Sequence, residues 1–97
     1  MDYFNIKCFI EKLNNKVVDN YEDWIMLGQF LYNINNNSNY LNLWIEKSKC
    51  YSDKYDNIEL VCNNVWSSMI HNNNNYNYYI KLKYYFMDKT KAPIGDI

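Results

Sequence analysis

Ninety-seven residues suffice for one domain with a thin core. A hydrophobic content of 48%, with 19% aromatic residues, lets large rings supply that core. The net charge of −1 and the absence of arginine remove a strong global pull toward phosphate and the usual bidentate reader of phosphate and guanine. The charge is uneven: residues 1–46 carry three Lys against six acids, and residues 47–97 carry seven Lys against five. The 18 Asn accompany many Lys, Ile and Tyr, a bias that fits an AT-rich coding sequence. Cys8, Cys50 and Cys62 form no C-x-x-C pair, which points to free thiols in a reducing compartment. Met1–Ile10 lacks the pattern of a signal peptide, and no apolar run approaches the ~20 residues that span a bilayer. A soluble intracellular protein is expected.

In chain order, Ile6, Phe9, Ile10, Leu13 and Val17 fall on one helical face. Asn20 is placed to cap a second helix, with Asp23 favourable to its positive end. The expected buried face of that helix is Tyr21, Trp24, Ile25, Gly28, Leu31 and Tyr32. Gly28 costs about 1 kcal/mol of helix propensity relative to Ala, which makes sense where another helix or a Trp ring must come close. Residues 33–39 read as a loop, after which Ser38 or Asn39 opens a helix with Leu41, Trp44, Ile45 and Ser48 on one face. Asp56 and Glu59 form a near capping box ahead of Ile58, Val61, Cys62, Val65, Trp66 and Met69, the cleanest amphipathic stripe in the chain. That helix is expected to end near His71, where a run of Asn begins.

Residues 76–87 fit a strand by alternation and a helix almost as well. A lone strand would have no partner, so helix is expected. The sum is an all-α domain, a small bundle of about five short helices over residues 1–90, with 91–97 as a tail or linker.

The chemistry available is that of binding. No P-loop sequence is present, and the only glycines are Gly28 and Gly95, so these residues do not hydrolyse nucleoside triphosphates. His71 stands alone beside Asn residues, and Glu22-Asp23 is explained by its place in a first helical turn. No metal ligand set, cofactor site or catalytic residue is indicated. Candidate phosphate contacts are Lys47, Lys49, Lys54, Lys81 and Lys83. If the last helix packs near the turn after the third, they form one basic patch with Tyr51, Tyr55, Tyr79 and Tyr84, extended by Lys89 and Lys91. Cations between aromatic rings suit salt-sensitive, sequence-tolerant binding of nucleic acid.

The order Y-E-D-W…G…L, then L-N-L-W…S, then K-Y-D and a later W resembles the primase C-terminal domain of the second type. Tyr21, Asp23, Trp24, Gly28, Leu31, Leu43, Trp44, Ser48, Lys54, Tyr55, Asp56 and Trp66 carry the resemblance, which spans roughly residues 6–88. Lys47 stands where the family usually has a second Trp, Ile45 where an acid is frequent, and Phe86 where a small residue is usual. The resemblance implies a helical, non-catalytic accessory domain of a viral DNA primase–helicase, linking primer synthesis and unwinding. Its implied partners are primase and helicase domains of the same or another chain, and single-stranded or primer-template DNA. The implied setting is a large DNA virus, at replication sites in the host cytoplasm or in the virion. The alternative is a protein-interaction adaptor without nucleic-acid affinity, anchored by tyrosines such as Tyr84 and Tyr85.

Overall fold

The computed structural model describes residues 2–50 and 57–87. Five α-helices follow one another: α1 (Tyr3–Lys12), α2 (Tyr21–Ile34), α3 (Ser38–Ser48), α4 (Ile58–Ser68) and α5 (Asn75–Lys81). A 3-10 turn at Asn15–Val18 joins α1 to α2, and a π-helical turn at Leu82–Phe86 extends α5. The all-α expectation therefore holds, including a helical conformation for the ambiguous last segment.

Asparagine sets several of the boundaries. Asn14, Asn20 and Asn37 each take extended backbone angles and accept hydrogen bonds from the first amides of the turn or helix that follows. The Asn20 Oδ1 accepts from the amides of Glu22 and Asp23 at 2.8 and 3.3 Å, satisfying two donors that α2 itself cannot. Asn57 precedes α4 with φ 59°, a left-handed conformation that Asn adopts more readily than most residues. The capping box expected from Asp56 lies outside the described residues.

Three expectations are corrected. The first apolar stripe does not run through one helix. Leu13 turns extended at ψ 142°, and Val17 and Val18 reach the core from the 3-10 turn. Tyr21, expected in the buried face of α2, is 63% exposed at the helix start. The fully buried positions there include Leu27, Phe30 and Leu31, because α2 is enclosed on more than one side. It packs against α3, α5 and the 3-10 turn, while α3 also carries α1 and α4. Finally, α4 stops at Ser68, and Met69 is extended, earlier than the stop near His71.

Two aromatic clusters fill the core. Trp24 of α2 stacks on Trp44 of α3 at 4.6 Å, and Trp44 leads on to Trp66 of α4 at 6.0 Å. On the other side of α2, Phe30 meets Phe9 of α1 and Tyr79 of α5 at 6.1 and 6.2 Å. Truncating a fully buried ring such as Trp44 to Ala costs about 3–5 kcal/mol, a large fraction of the stability of a domain this size.

The last segment returns to the first. The Asn14 amide donates to the Phe86 carbonyl, and Leu13 and Met87 form an isolated antiparallel bridge. Leu82 is fully buried within the π turn, so the wider turn still delivers a side chain to the core.

Candidate functional site

The residues shared by the Trp-containing segments meet around one hydroxyl. Trp24 Nε1 donates to Ser48 Oγ at 2.8 Å, and Ser48 Oγ donates to the Trp44 carbonyl at 2.7 Å. Trp44 Nε1 donates in turn to the Trp24 carbonyl at 3.1 Å. Each indole N–H is thus satisfied inside the core, which a buried Trp requires. Cys62 of α4 lies against the same hydroxyl at 3.6 Å. Burial pushes its thiol above the usual cysteine range, partly offset by side-chain hydrogen bonding from Ser48 and Trp24. That is the setting of an inert structural thiol, since the thiolate is the nucleophile.

Gly28 allows the rings this close. A Cβ there would meet the Trp44 ring at 2.6 Å and the Met69 methyl at 2.9 Å. The close approach of a Trp ring expected from the sequence is therefore what occupies the glycine's face. Leu43 is buried on α3, and Trp66 Nε1 donates to the Asn36 carbonyl at 3.3 Å, tying α4 to the α2–α3 loop. Tyr21 leans on Trp24 at 5.7 Å from outside. Tyr55 lies outside the described residues. The geometry of these side chains is that of a packing skeleton, with no nucleophile beside a base.

Lys47 does not join the patch read from the sequence. Lys47 is buried, and its Nζ donates to the Leu13 carbonyl at 2.6 Å. The reason is its position: α3 turns this side chain toward the end of α1, where Leu13 leaves the helix and exposes a free carbonyl. Burial holds the ammonium below its usual range, with Cys50 and Glu11 opposing the shift. Lys47 is thus a strut between α3 and α1, unavailable to a phosphate. Lys49 is exposed at the end of α3 beside Glu46 at 3.5 Å. Lys54 lies outside the described residues, as do Tyr51, Lys89 and Lys91.

Lys81 and Lys83 stand on the last element. Lys81 Nζ is 3.8 Å from the Asp23 carboxylate and half exposed. It is thereby placed beside the N-terminus of α2. Lys83 Nζ lies 5.9 Å from the Tyr79 ring centroid and 5.8 Å from that of Tyr84, at the range of cation–π attraction. Tyr84 is 43% and Tyr85 73% exposed beside it. The α5 end therefore presents two cations with exposed rings.

No motif announces the amide network that joins α2 to the α4–α5 connection. Asn33, buried on α2, accepts from Gln29 Nε2 at 2.8 Å and from the Asn72 amide at 3.0 Å. Its Nδ2 donates to Asn72 Oδ1 at 2.8 Å, and Gln29 Nε2 also donates to the Ile70 carbonyl at 2.9 Å. This clamps the α4–α5 connection onto α2. The one trace in the sequence is the i, i+4 spacing of Gln29 and Asn33, two amides on one face of α2.

Other chemistry is sparse. His71 is exposed, and among the described residues no three His, Cys, Asp or Glu side chains converge. A groove of about 430 Å³ runs between α1 and α3, walled by Tyr3, Ile10 and Leu43 and edged by Lys7, Glu11 and Glu46. No described helix is long and apolar enough to cross a membrane.

Comparison with known families gives a match: the family described as Primase C terminal 2 (PriCT-2) matches residues 6–78. Neither the curated proteins nor the solved structures yielded a match. The matched span takes in α1 from Ile6 onward, α2 to α4, the Trp24–Trp44–Ser48 junction, Gly28 and the first turn of α5. The chain belongs to the family of primase C-terminal domains of the second type.

Proposed function

We propose that this primase-associated domain is a non-catalytic accessory module of a viral DNA primase–helicase, linking primer synthesis to unwinding and contacting DNA through the α5 end. The observation that carries the DNA contact is the grouping of Lys81 and Lys83 with exposed Tyr84 and Tyr85. Lys49, exposed at the end of α3, and Lys54 are further candidates. Lys47 is withdrawn because its ammonium is engaged inside the fold. The AT-biased composition and lack of arginine support a viral origin, at replication sites in the host cytoplasm or in the virion. Partner primase and helicase domains supply the catalysis.

Titration with labelled single-stranded and primer-template DNA at low salt tests the contact. Binding that weakens steeply with added salt, and is lost uniformly on replacing Lys81 and Lys83 with Ala, supports it. Absent or salt-indifferent binding refutes it. A protein-interaction adaptor is the second reading, favoured by the α1–α3 groove with its apolar walls and mixed-charge edges. In that case a partner domain is retained by the Lys81→Ala, Lys83→Ala variant as well as by the unaltered protein.

A further inference from the structure

We infer that the α5 end selects unpaired strands, with Tyr84 and Tyr85 stacking on bases while Lys81 and Lys83 meet the flanking phosphates. This rests on the DNA contact proposed above and adds the strand state and the residues that recognise it.

Three observations carry the inference. Tyr85 is 73% and Tyr84 43% exposed on consecutive residues, so two rings emerge together from one short turn. Tyr79, by contrast, is partly buried between Phe9 and Phe30. Second, Lys83 is held between Tyr79 and Tyr84, about 6 Å from each ring centroid, which orients a cation next to the exposed rings. Third, Lys81 Nζ lies 3.8 Å from Asp23 with half of its side chain in solvent, so it stays reachable by a phosphate oxygen.

These groups suit a strand whose bases are free. A duplex offers base edges in its grooves, read by bidentate side chains, of which arginine is the commonest and is absent here. It hides the base faces that a tyrosine ring would use. An unpaired strand offers both faces and backbone at every step, and stacking tolerates any sequence. The π turn contributes by carrying Lys83, Tyr84 and Tyr85 while its first residue, Leu82, stays in the core. The rings are thereby mounted on a fixed base.

The test compares three labelled probes of equal length on the 97-residue protein at one low salt concentration. They are an oligothymidine strand, the same backbone with abasic sites throughout, and a duplex. The abasic strand keeps every phosphate and lacks only the stacking partners. The expected result is binding of oligothymidine roughly ten-fold or more tighter than the abasic strand, with the duplex weaker than oligothymidine. The Tyr84→Leu, Tyr85→Leu variant, with its helical content and melting verified by circular dichroism, should bind oligothymidine no better than the abasic strand. Equal binding of abasic and normal strands, or preference for the duplex, overturns the stacking inference and leaves the DNA contact standing. If none of the three binds, both readings fall, and the exposed tyrosines are assigned to a protein contact.

Discussion

Replacing Gly28 with Ala sets two effects of opposite sign against each other. Helix propensity favours Ala by about 1 kcal/mol in the interior of α2. Against this, the new methyl would lie 2.6 Å from two carbons of the Trp44 ring, about 0.8 Å inside the 3.4 Å at which ordinary contact begins. The Met69 methyl, 2.9 Å away, is the end of a flexible chain and can swing aside. Trp44 has no such freedom. It is fully buried, stacked on Trp24 at 4.6 Å and held by its Nε1 bond to the Trp24 carbonyl. Overpacking costs about 1–3 kcal/mol, and loosening a buried hydrogen bond adds about 1 kcal/mol. The net expectation is a loss of about 2 kcal/mol, equivalent to a fall of about 10 °C in Tm. Urea unfolding followed by Trp fluorescence measures it, as a lower midpoint at unchanged slope. Combining the change with Trp44→Phe should recover part of the loss, because the smaller ring vacates the clash. Equal or higher stability of the Gly28→Ala variant would refute the reasoning, since propensity would then outweigh contact.

Four further outcomes are expected. Ser48→Ala removes the buried acceptor of Trp24 Nε1 and should cost about 1–3 kcal/mol in the same urea assay. Asn33→Ala should raise the hydrogen exchange of the Asn72 amide and destabilise by a similar amount, because the clamp on the α4–α5 connection is lost. Burial holds the Lys47 ammonium below its usual 10.5, so the unfolded chain keeps a proton that the folded one has released between the lowered value and 10.5. The charge penalty is thus fully present below the lowered value and relieved as pH rises through that window. Stability of the unaltered protein relative to Lys47→Met should therefore shift in its favour toward pH 10.5, as read by paired urea melts. A thiol reagent should label exposed Cys50 under native conditions and reach Cys62 only on unfolding, as mass spectrometry of the labelled peptides would show.

Periodicity located the helices because each apolar stripe had a core to face. Gly28 was legible because a glycine costs stability on a buried helical face unless something must approach the backbone there, and Trp44 does. The stripe could not convey how many neighbours a helix has. Tyr21 matches the period of α2 and yet lies at its exposed first turn, whereas Leu27 and Phe30 are buried because α3, α5 and the 3-10 turn enclose several sides. Lys47 was unreadable for a related reason. Its burial depends on a carbonyl freed 34 residues earlier, where Leu13 breaks the helix, and composition gives no sign of that pairing. Asn20 was legible as a cap. The other Asn-rich stretches mislead: read as compositional drift, they include Asn14 and Asn37 as caps and Asn33 and Asn72 as a clamp. The Tyr-Lys surface at the end of α5 was visible in outline, but which tyrosines face outward was fixed by the π turn.

The most direct measurement on the proposed role is the slope of log binding constant against log salt for a single strand. Each phosphate neutralised contributes about 0.7 to the magnitude of that slope. Contact through Lys81 and Lys83 predicts that replacing both with Ala weakens binding and reduces the slope by about 1.4, with the fold unchanged by circular dichroism. Binding that ignores salt, or a slope that stays the same in the double variant, would contradict the assignment of the α5 end as the DNA contact.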